Sequence, residues 1–192
     1  MREITYDNYF WQNELVRLRA WSADDWEWDY YNTFDTPAIA LADFEVHLPA
    51  TPSGSKNYSE KIADLSNVNG RFYFAIETFE GINVGRVNLS RVDERNGTFE
   101  IGILIDRDHR TRGYGTAAMK IILKYAFMER RLNKYCASLI EGNTGSIAMH
   151  KKLGCLQEGV CRQNIYLNGR YHDEILFGLT KEDYLKTAGC EK

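Results

Sequence analysis

Through the middle of the chain, apolar and polar residues alternate with the two-residue period of a half-buried strand. Phe72–Phe79 (FYFAIETF), Val84–Val92 (VGRVNLSRV) and Thr98–Ile105 (TFEIGILI) are three such runs. Short spacers, Glu80-Gly81-Ile82-Asn83 and the turn at Asn96-Gly97, predict an antiparallel meander. The pattern then becomes helical over Gly113 to about Arg130, with Ala117, Ile121, Leu123, Tyr125 and Phe127 available for burial. Tyr135–Ile140 reads as a strand and Asn143–Leu153 as a helix. Asn168-Gly169 predicts a closing hairpin of Val160–Leu167 with Arg170–Leu179, and Thr180 with Asp183 opens a last helical turn. Upstream, Leu15–Trp21 is a short strand. Ser22, with Asp25 three residues on, is an N-cap for a helix toward Asn32. A second helix is predicted over Tyr58–Leu65, after a loop at Leu48–Lys56 (LPATPSGSK). The order predicts one α+β domain over residues 1–192, with a mixed, mostly antiparallel sheet of about seven strands flanked by helices.

Composition adds limits. The chain has 192 residues, 44% hydrophobic and 27% charged, which suits a single soluble domain. A net charge of -3 gives no reason to expect a nucleic acid partner. No apolar run has signal-peptide or membrane-spanning character, so a cytoplasmic location and no membrane partner are expected. Cys136, Cys155, Cys161 and Cys190 form no C-x-x-C pair, and no histidine cluster completes a metal site. Reduced, mostly buried thiols are expected.

The strongest chemical signal is Arg110-Thr111-Arg112-Gly113-Tyr114-Gly115-Thr116, between a strand and the long helix. Glycines let backbone approach a ligand closely, and a helix start offers free N–H groups at the positive end of its dipole. Arg110 and Arg112 add charge, which suits a pyrophosphate. A Walker loop is absent, since no G-x-x-x-x-G-K-[ST] occurs. Gly113–Ala118 formally matches G-x-G-x-x-A, but Asp106–Arg112 separate it from the preceding strand, which lies in a meander and not in a parallel βαβ unit. A helix start without a ligand is the bland alternative.

Arg110-x-x-Gly113-x-Gly115 resembles the [QR]-x-x-G-x-[GA] motif of the GCN5-related N-acetyltransferase (GNAT) superfamily. Asn143–Cys155 (NTGSIAMHKKLGC) resembles a second family segment, N-x-x-[SA]-x-x-x-[YH]-x-x-x-G-F. Val16-Arg17-Leu18-Arg19 and Asn168–Asp173 resemble the opening strand and closing hairpin of the RimJ/RimL-like branch. The resemblance runs from about Leu15 to Tyr184. It implies the GNAT fold, acetyl-CoA as co-substrate, and an acetyl-CoA-binding core at about 98–155. The implied cofactor contacts are Ile103, Leu104 and Ile105 on the splayed fourth strand, Arg110–Thr116, and Asn143, Ser146 and Lys152. It further implies direct attack by an amine, oxyanion stabilisation by the N–H of Ile103 or Leu104, and Glu100 as a water-mediated base. Glu100 is equally readable as a solvated carboxylate at a strand end. His150 stands where the family commonly has a tyrosine acting as general acid. As a neutral imidazole at pH 7 it is a weaker candidate than the motif suggests.

By the same resemblance, a helical segment at about 22–66 forms the acceptor wall. It carries Asp24, Asp25, Glu27, Asp29, Asp35, Asp43, Glu45, Glu60 and Asp64 against Lys56 and Lys61 only, with Trp21, Trp26, Trp28, Tyr30 and Tyr31 interleaved. Carboxylates with aromatic faces suit a cation; an amphipathic helix with tryptophan inside and acids in water is the plainer reading. The function expected is an N-acetyltransferase favouring a small cationic amine. Alternatives are a protein N-terminal (ribosomal-protein-type) acetyltransferase acting on a peptide N-terminus, and a non-catalytic acyl-CoA-binding sensor. A homodimer through the final hairpin is an open expectation.

Overall fold

The computed structural model describes residues 4–63 and 72–187. Seven strands form one sheet in the order β1-β2-β3-β4-β5-β7-β6. They are β1 (Arg17–Ala20), β2 (Phe72–Glu77), β3 (Asn83–Asp93), β4 (Thr98–Ile105), β5 (Lys134–Ile140), β6 (Leu156–Leu167) and β7 (Arg170–Thr180). Every neighbouring pair is antiparallel except β4 with β5. That parallel pair needs a crossover, and the long helix supplies it. The helices are α1 (Trp26–Asn32), α2 (Thr36–Asp43), α3 (Pro52–Ala63), α4 (Tyr114–Lys124), α5 (Thr144–Lys152) and α6 (Lys181–Thr187). A π-helical turn at Tyr125–Glu129 carries α4 on to Arg130.

Apolar side chains pack against both faces of the sheet. On one face α4 buries Ala118, Met119 and Ile122, and the π-helical turn buries Phe127, against Leu18, Val87, Phe99 and Tyr135. On the other, α1 and α3 close over Trp21, Ile62, Tyr73 and Ala75. The Ser22 cap is formed as the spacing predicts. The Ser22 amide donates to Asp25 Oδ2 at 2.8 Å, and the Asp24 amide donates to Ser22 Oγ at 3.3 Å.

Three sequence expectations need correction. The predicted loop Leu48–Lys56 is half helix, because α3 starts at Pro52. Thr51 caps it, accepting from the Gly54 amide at 3.1 Å, and proline fits the first turn, where its missing N–H has no partner to lose. Helix α2 was not predicted; Pro37 again sits in its first turn. The last strand pair begins earlier than predicted, at Leu156, across a bulge at Gln157/Gly159. The predicted helix end at Asp64–Leu65 lies outside the described residues, as does Cys190. Of the described cysteines only Cys155 is buried; Cys136 is half-buried and Cys161 exposed.

Candidate active site

Strands β4 and β5 are in register only at Thr98↔Lys134 and Phe99↔Tyr135. Beyond these pairs β5 stays with β7 as far as Ile140, while β4 stays with β3 as far as Ile105. A wedge-shaped opening therefore begins at Glu100. Which amides face it follows from alternation. The Asp106 amide donates to the Val84 carbonyl at 3.0 Å, so this residue pair is a hydrogen-bonded one. In an antiparallel ladder every second residue repeats that orientation, so Leu104, Gly102 and Glu100 also turn toward β3. Ile101, Ile103 and Ile105 turn their N–H and C=O groups into the opening. The Ile105 carbonyl agrees, since it accepts from Arg110 Nε at 3.0 Å. Leu104 is thus corrected as an oxyanion donor: its amide belongs to the β3 ladder. The Ile103 amide, by contrast, faces the opening.

The start of α4 lies at the wedge's outer end. Gly113 has φ +87°, a left-handed conformation that a side chain would strain, and its carbonyl takes the first helical bond, from the Ala117 amide at 3.0 Å. Helix geometry leaves the amides of Tyr114, Gly115 and Thr116 without helical partners. Gly115 sits close to Ile105, Ile103 and Met149, where a side chain larger than methyl would press on β4 and α5. This cradle fits a pyrophosphate held by backbone, with Thr111 and Arg112 exposed beside it. Arg112 has no ion-pair partner among the described residues, whereas Arg110 does. Arg110 Nη2 lies 2.5 Å from Asp35 Oδ2, and Arg107 Nη2 lies 2.8 Å from Asp35 Oδ1. Arg110 therefore braces the loop against α2 and is not a freely available phosphate ligand. Burial works against the Asp35 charge, but the hydrogen bonds from Arg107 and Arg110 outweigh it and hold the carboxyl below its ordinary range.

Helix α5 borders the wedge from the β5 side. Asn143 Oδ1 accepts from the Ser146 amide at 3.2 Å as a cap, which leaves the Asn143 NH₂ free to donate. Lys152 is exposed at the far end of the helix. His150 is 3% exposed and faces inward. Its Nδ1 lies 2.8 Å from the Ser146 carbonyl and its Nε2 lies 2.9 Å from the Tyr135 hydroxyl. A carbonyl only accepts, so Nδ1 carries the hydrogen and Nε2 receives the tyrosine proton. Burial pushes the His150 pKa down, and the Ser146 hydrogen bond only partly offsets this. A neutral ring whose one N–H is already committed has no proton to give. The expected general-acid role does not fit this geometry; His150 fastens α5 to β5. His150→Phe is expected to cost about 1–3 kcal/mol, because the buried Tyr135 hydroxyl loses its partner, while turnover is retained. Because the folded pKa lies below the unfolded one, the histidine's contribution is complete above about pH 6.5 and declines as pH falls through that value. Chemical denaturation at pH 7.5 and 5.5 should show a smaller pH difference in the variant.

On the face opposite α4, a cleft of about 410 Å³ opens onto β3 and β4. Its floor includes Arg86, Asn88 and Leu104, and its walls Asp29, Tyr58 and Tyr73. The acids of the predicted acceptor wall divide here. Asp25 pairs with Arg19 at 2.7 Å, Asp29 with Arg86 at 2.6 Å, and Asp35 with the two loop arginines. Asp25 and Asp29 fasten the segment to the sheet and Asp35 fastens it to the loop before α4, so none of the three is available to a cationic ligand. Burial raises the Asp29 pKa although Arg86 opposes it, and burial pushes Tyr58 up to about 12. Asp43 and His47, 3.1 Å apart, remain at the cleft mouth. Trp21 is core, Trp28 packs against it, and Tyr31 is exposed outside the cleft. Glu100 is half-exposed at the narrow end of the wedge and pairs with Arg91 at 3.2 Å. Sequence reasoning passed over Arg86 and Asn88. Their signal was the polar half of the alternation in VGRVNLSRV, on a central strand with both faces covered.

The geometry can be set beside known proteins. The GNAT acetyltransferase domain family matches residues 16–156. The chain belongs to this family. It is 28% identical to the SPbeta prophage-derived uncharacterized N-acetyltransferase YokL of Bacillus subtilis, over 91% of the chain and 95% of that protein. It is 27% identical to the spermidine N(1)-acetyltransferase of Escherichia coli K12, over 91% and 92%. The crystal structure of spermidine N-acetyltransferase from Vibrio cholerae in complex with CoA and spermine has the same fold, with a TM-score of 0.78, 21% identity, and coverage of 90% and 99%. The protein is thus a GNAT acyltransferase with acetyl-CoA as co-substrate, and the expected α+β GNAT fold is the one observed. The RimJ/RimL-like placement goes no further than the family itself. No described helix is long and apolar enough to cross a membrane, and no cluster of metal-ligating side chains occurs among the described residues.

Proposed function

We propose that this GNAT enzyme transfers the acetyl group to a primary amine of a small cationic acceptor by direct attack. One observation carries the reading: Ile103 lies on the open side of β4 close to Gly115 at the α4 start, while its neighbour Leu104 lines the acceptor cleft with Asn88. Two substrates can meet there without an acyl-enzyme, and the buried Cys155 thiol, pushed up to about 12 by burial, is a poor nucleophile. Acetyl-CoA would supply an activated thioester, held by the amides of Tyr114–Thr116 and by Asn143. The Ile103 N–H then faces the oxygen that gains charge, and Glu100 takes up the amine proton through solvent. No acid is needed at sulfur, since a thiol of pKa near ~8.5 leaves readily as thiolate.

A small cation is supported by Asp43 at the cleft mouth, where the carboxylate is half-exposed beside His47, while the Tyr58 and Tyr73 rings already face Arg86. The relatives named spermidine N-acetyltransferases support the same class. Arg86 does not repel such a ligand strongly, because Asp29 neutralises it. The test is thiol release from acetyl-CoA across polyamines, amino acids, aminoglycosides and short peptides. Polyamines or simple diamines should be the best acceptors. Turnover confined to peptides, or none on any amine, overturns the proposal.

A further inference from the structure

Residue pairing places one unassigned polar side chain at the meeting point of the two substrates. Asn88 of β3 pairs with Gly102 of β4, one residue before Ile103, whose amide faces the wedge. The Asn88 amide occupies the space above position 102: a Cβ there would lie 2.7 Å from Asn88 Nδ2 and 3.2 Å from Oδ1. The Asn88 amide therefore lies across the glycine, over the centre of β4. It lines the acceptor cleft beside Arg86 and Leu104, and no hydrogen-bond partner holds it among the described residues. Its neighbours on the same face are engaged, Arg86 by Asp29 and Glu100 by Arg91. A half-buried amide left unpaired between them can serve a ligand at little cost in stability.

We infer that Asn88 holds the attacking amine, its Oδ1 accepting an N–H so that the nitrogen lone pair is aimed at the thioester carbon beside Ile103. This rests on the proposed amine acceptor. The ammonium first loses a proton, through solvent, to Glu100. The nitrogen lone pair then forms the C–N bond, and the C–S bond breaks with its electron pair passing to sulfur. The new amide nitrogen gives up a second proton, leaving an acetylamide and the CoA thiolate. A neutral amide suits this position because it orients an amine without holding it as ammonium. A carboxylate would favour the charged, unreactive form.

The test compares the wild type with Asn88→Ala and Asn88→Asp, using spermidine and acetyl-CoA, with thermal melting to confirm folding. For Asn88→Ala, kcat/KM for the amine should fall about tenfold to a hundredfold while KM for acetyl-CoA stays within twofold. For Asn88→Asp, which is nearly isosteric and should keep the fold, the acidic limb of the pH–kcat/KM profile should move to higher pH, a shift that a packing role would not produce. Amine kinetics of Asn88→Ala within twofold of wild type, an equal rise in KM for acetyl-CoA, or an unmoved limb in Asn88→Asp would each overturn the inference. Absence of wild-type turnover on any small amine would instead sink the acceptor reading, and this inference with it. Intact acetyl-CoA binding would then show that the loss lies on the acceptor side.

Discussion

Ile103→Pro is expected to lower kcat by about 10²–10³ while the protein stays folded, whereas Leu104→Pro, one residue on, should unfold it. Proline removes a backbone N–H and leaves the carbonyl. At position 103 that N–H points into the wedge and belongs to no ladder, so the strand tolerates its loss as an edge strand would. At position 104 the N–H belongs to the β3 pairing, in the centre of the sheet, and its removal breaks a buried hydrogen bond. Circular dichroism and thermal melting establish folding, and thiol release gives kcat. If Ile103→Pro is folded and as active as wild type, Ile103 is not the oxyanion donor. If Leu104→Pro is stable, the alternation derived from the Asp106–Val84 bond is wrong.

The second large effect is expected at Asp35, the joint between the acceptor wall and the pyrophosphate loop. Asp35→Asn keeps the shape and removes the charge that holds Arg107 and Arg110. Charge-assisted hydrogen bonds contribute about 1.5–3 kcal/mol. Arg107 is 64% exposed and Arg110 35%, so solvent screens both, and a loss of roughly 1–2 kcal/mol is more realistic. That corresponds to a melting temperature lower by about 2–8 °C for a chain of this size. Function should suffer more, because Arg110 also holds the Ile105 carbonyl and so fixes where the loop leaves β4. KM for acetyl-CoA is expected to rise about tenfold, with kcat little changed, since the loop is proposed to hold the pyrophosphate and not to react. The folded carboxyl titrates below its unfolded value, so its contribution is complete above about pH 4 and disappears as pH falls further. The stability difference between wild type and variant should shrink as pH falls below about 4. Identical KM values in the two proteins would show that the loop needs no anchor on α2.

Much of this was legible in the chain, for local reasons. The alternation in β2, β3 and β4, the cap at Ser22 and the Asn143–Ser146 cap are each decided by residues within a few positions of one another. The glycines at 113 and 115 marked the anion cradle because a helix start exposes its amides whatever surrounds it. Composition misled where it stood in for position. Thr51-Pro52-Ser53-Gly54 looked like a loop, yet proline and serine also suit the first turn of a helix, and α1 with Trp21 covers the face that α3 buries. The acids of the acceptor wall suited either a cation or, more plainly, a solvated face, and the fold instead brought Arg19, Arg86, Arg107 and Arg110 to three of them.

By itself, then, the sequence determined most of the elements, the glycine-bearing helix start at Gly113–Gly115 and the family, because these depend on short-range periodicity, caps and backbone freedom. Only the tertiary structure decided which charges are free and which way a backbone group or side chain points. His150 became a buried link to Tyr135, Arg110 a brace against Asp35, and Ile103 rather than Leu104 the amide that faces the wedge. Each depends on a partner far away in the chain, and a hydrogen bond or ion pair settles a residue's role only once both partners are in place.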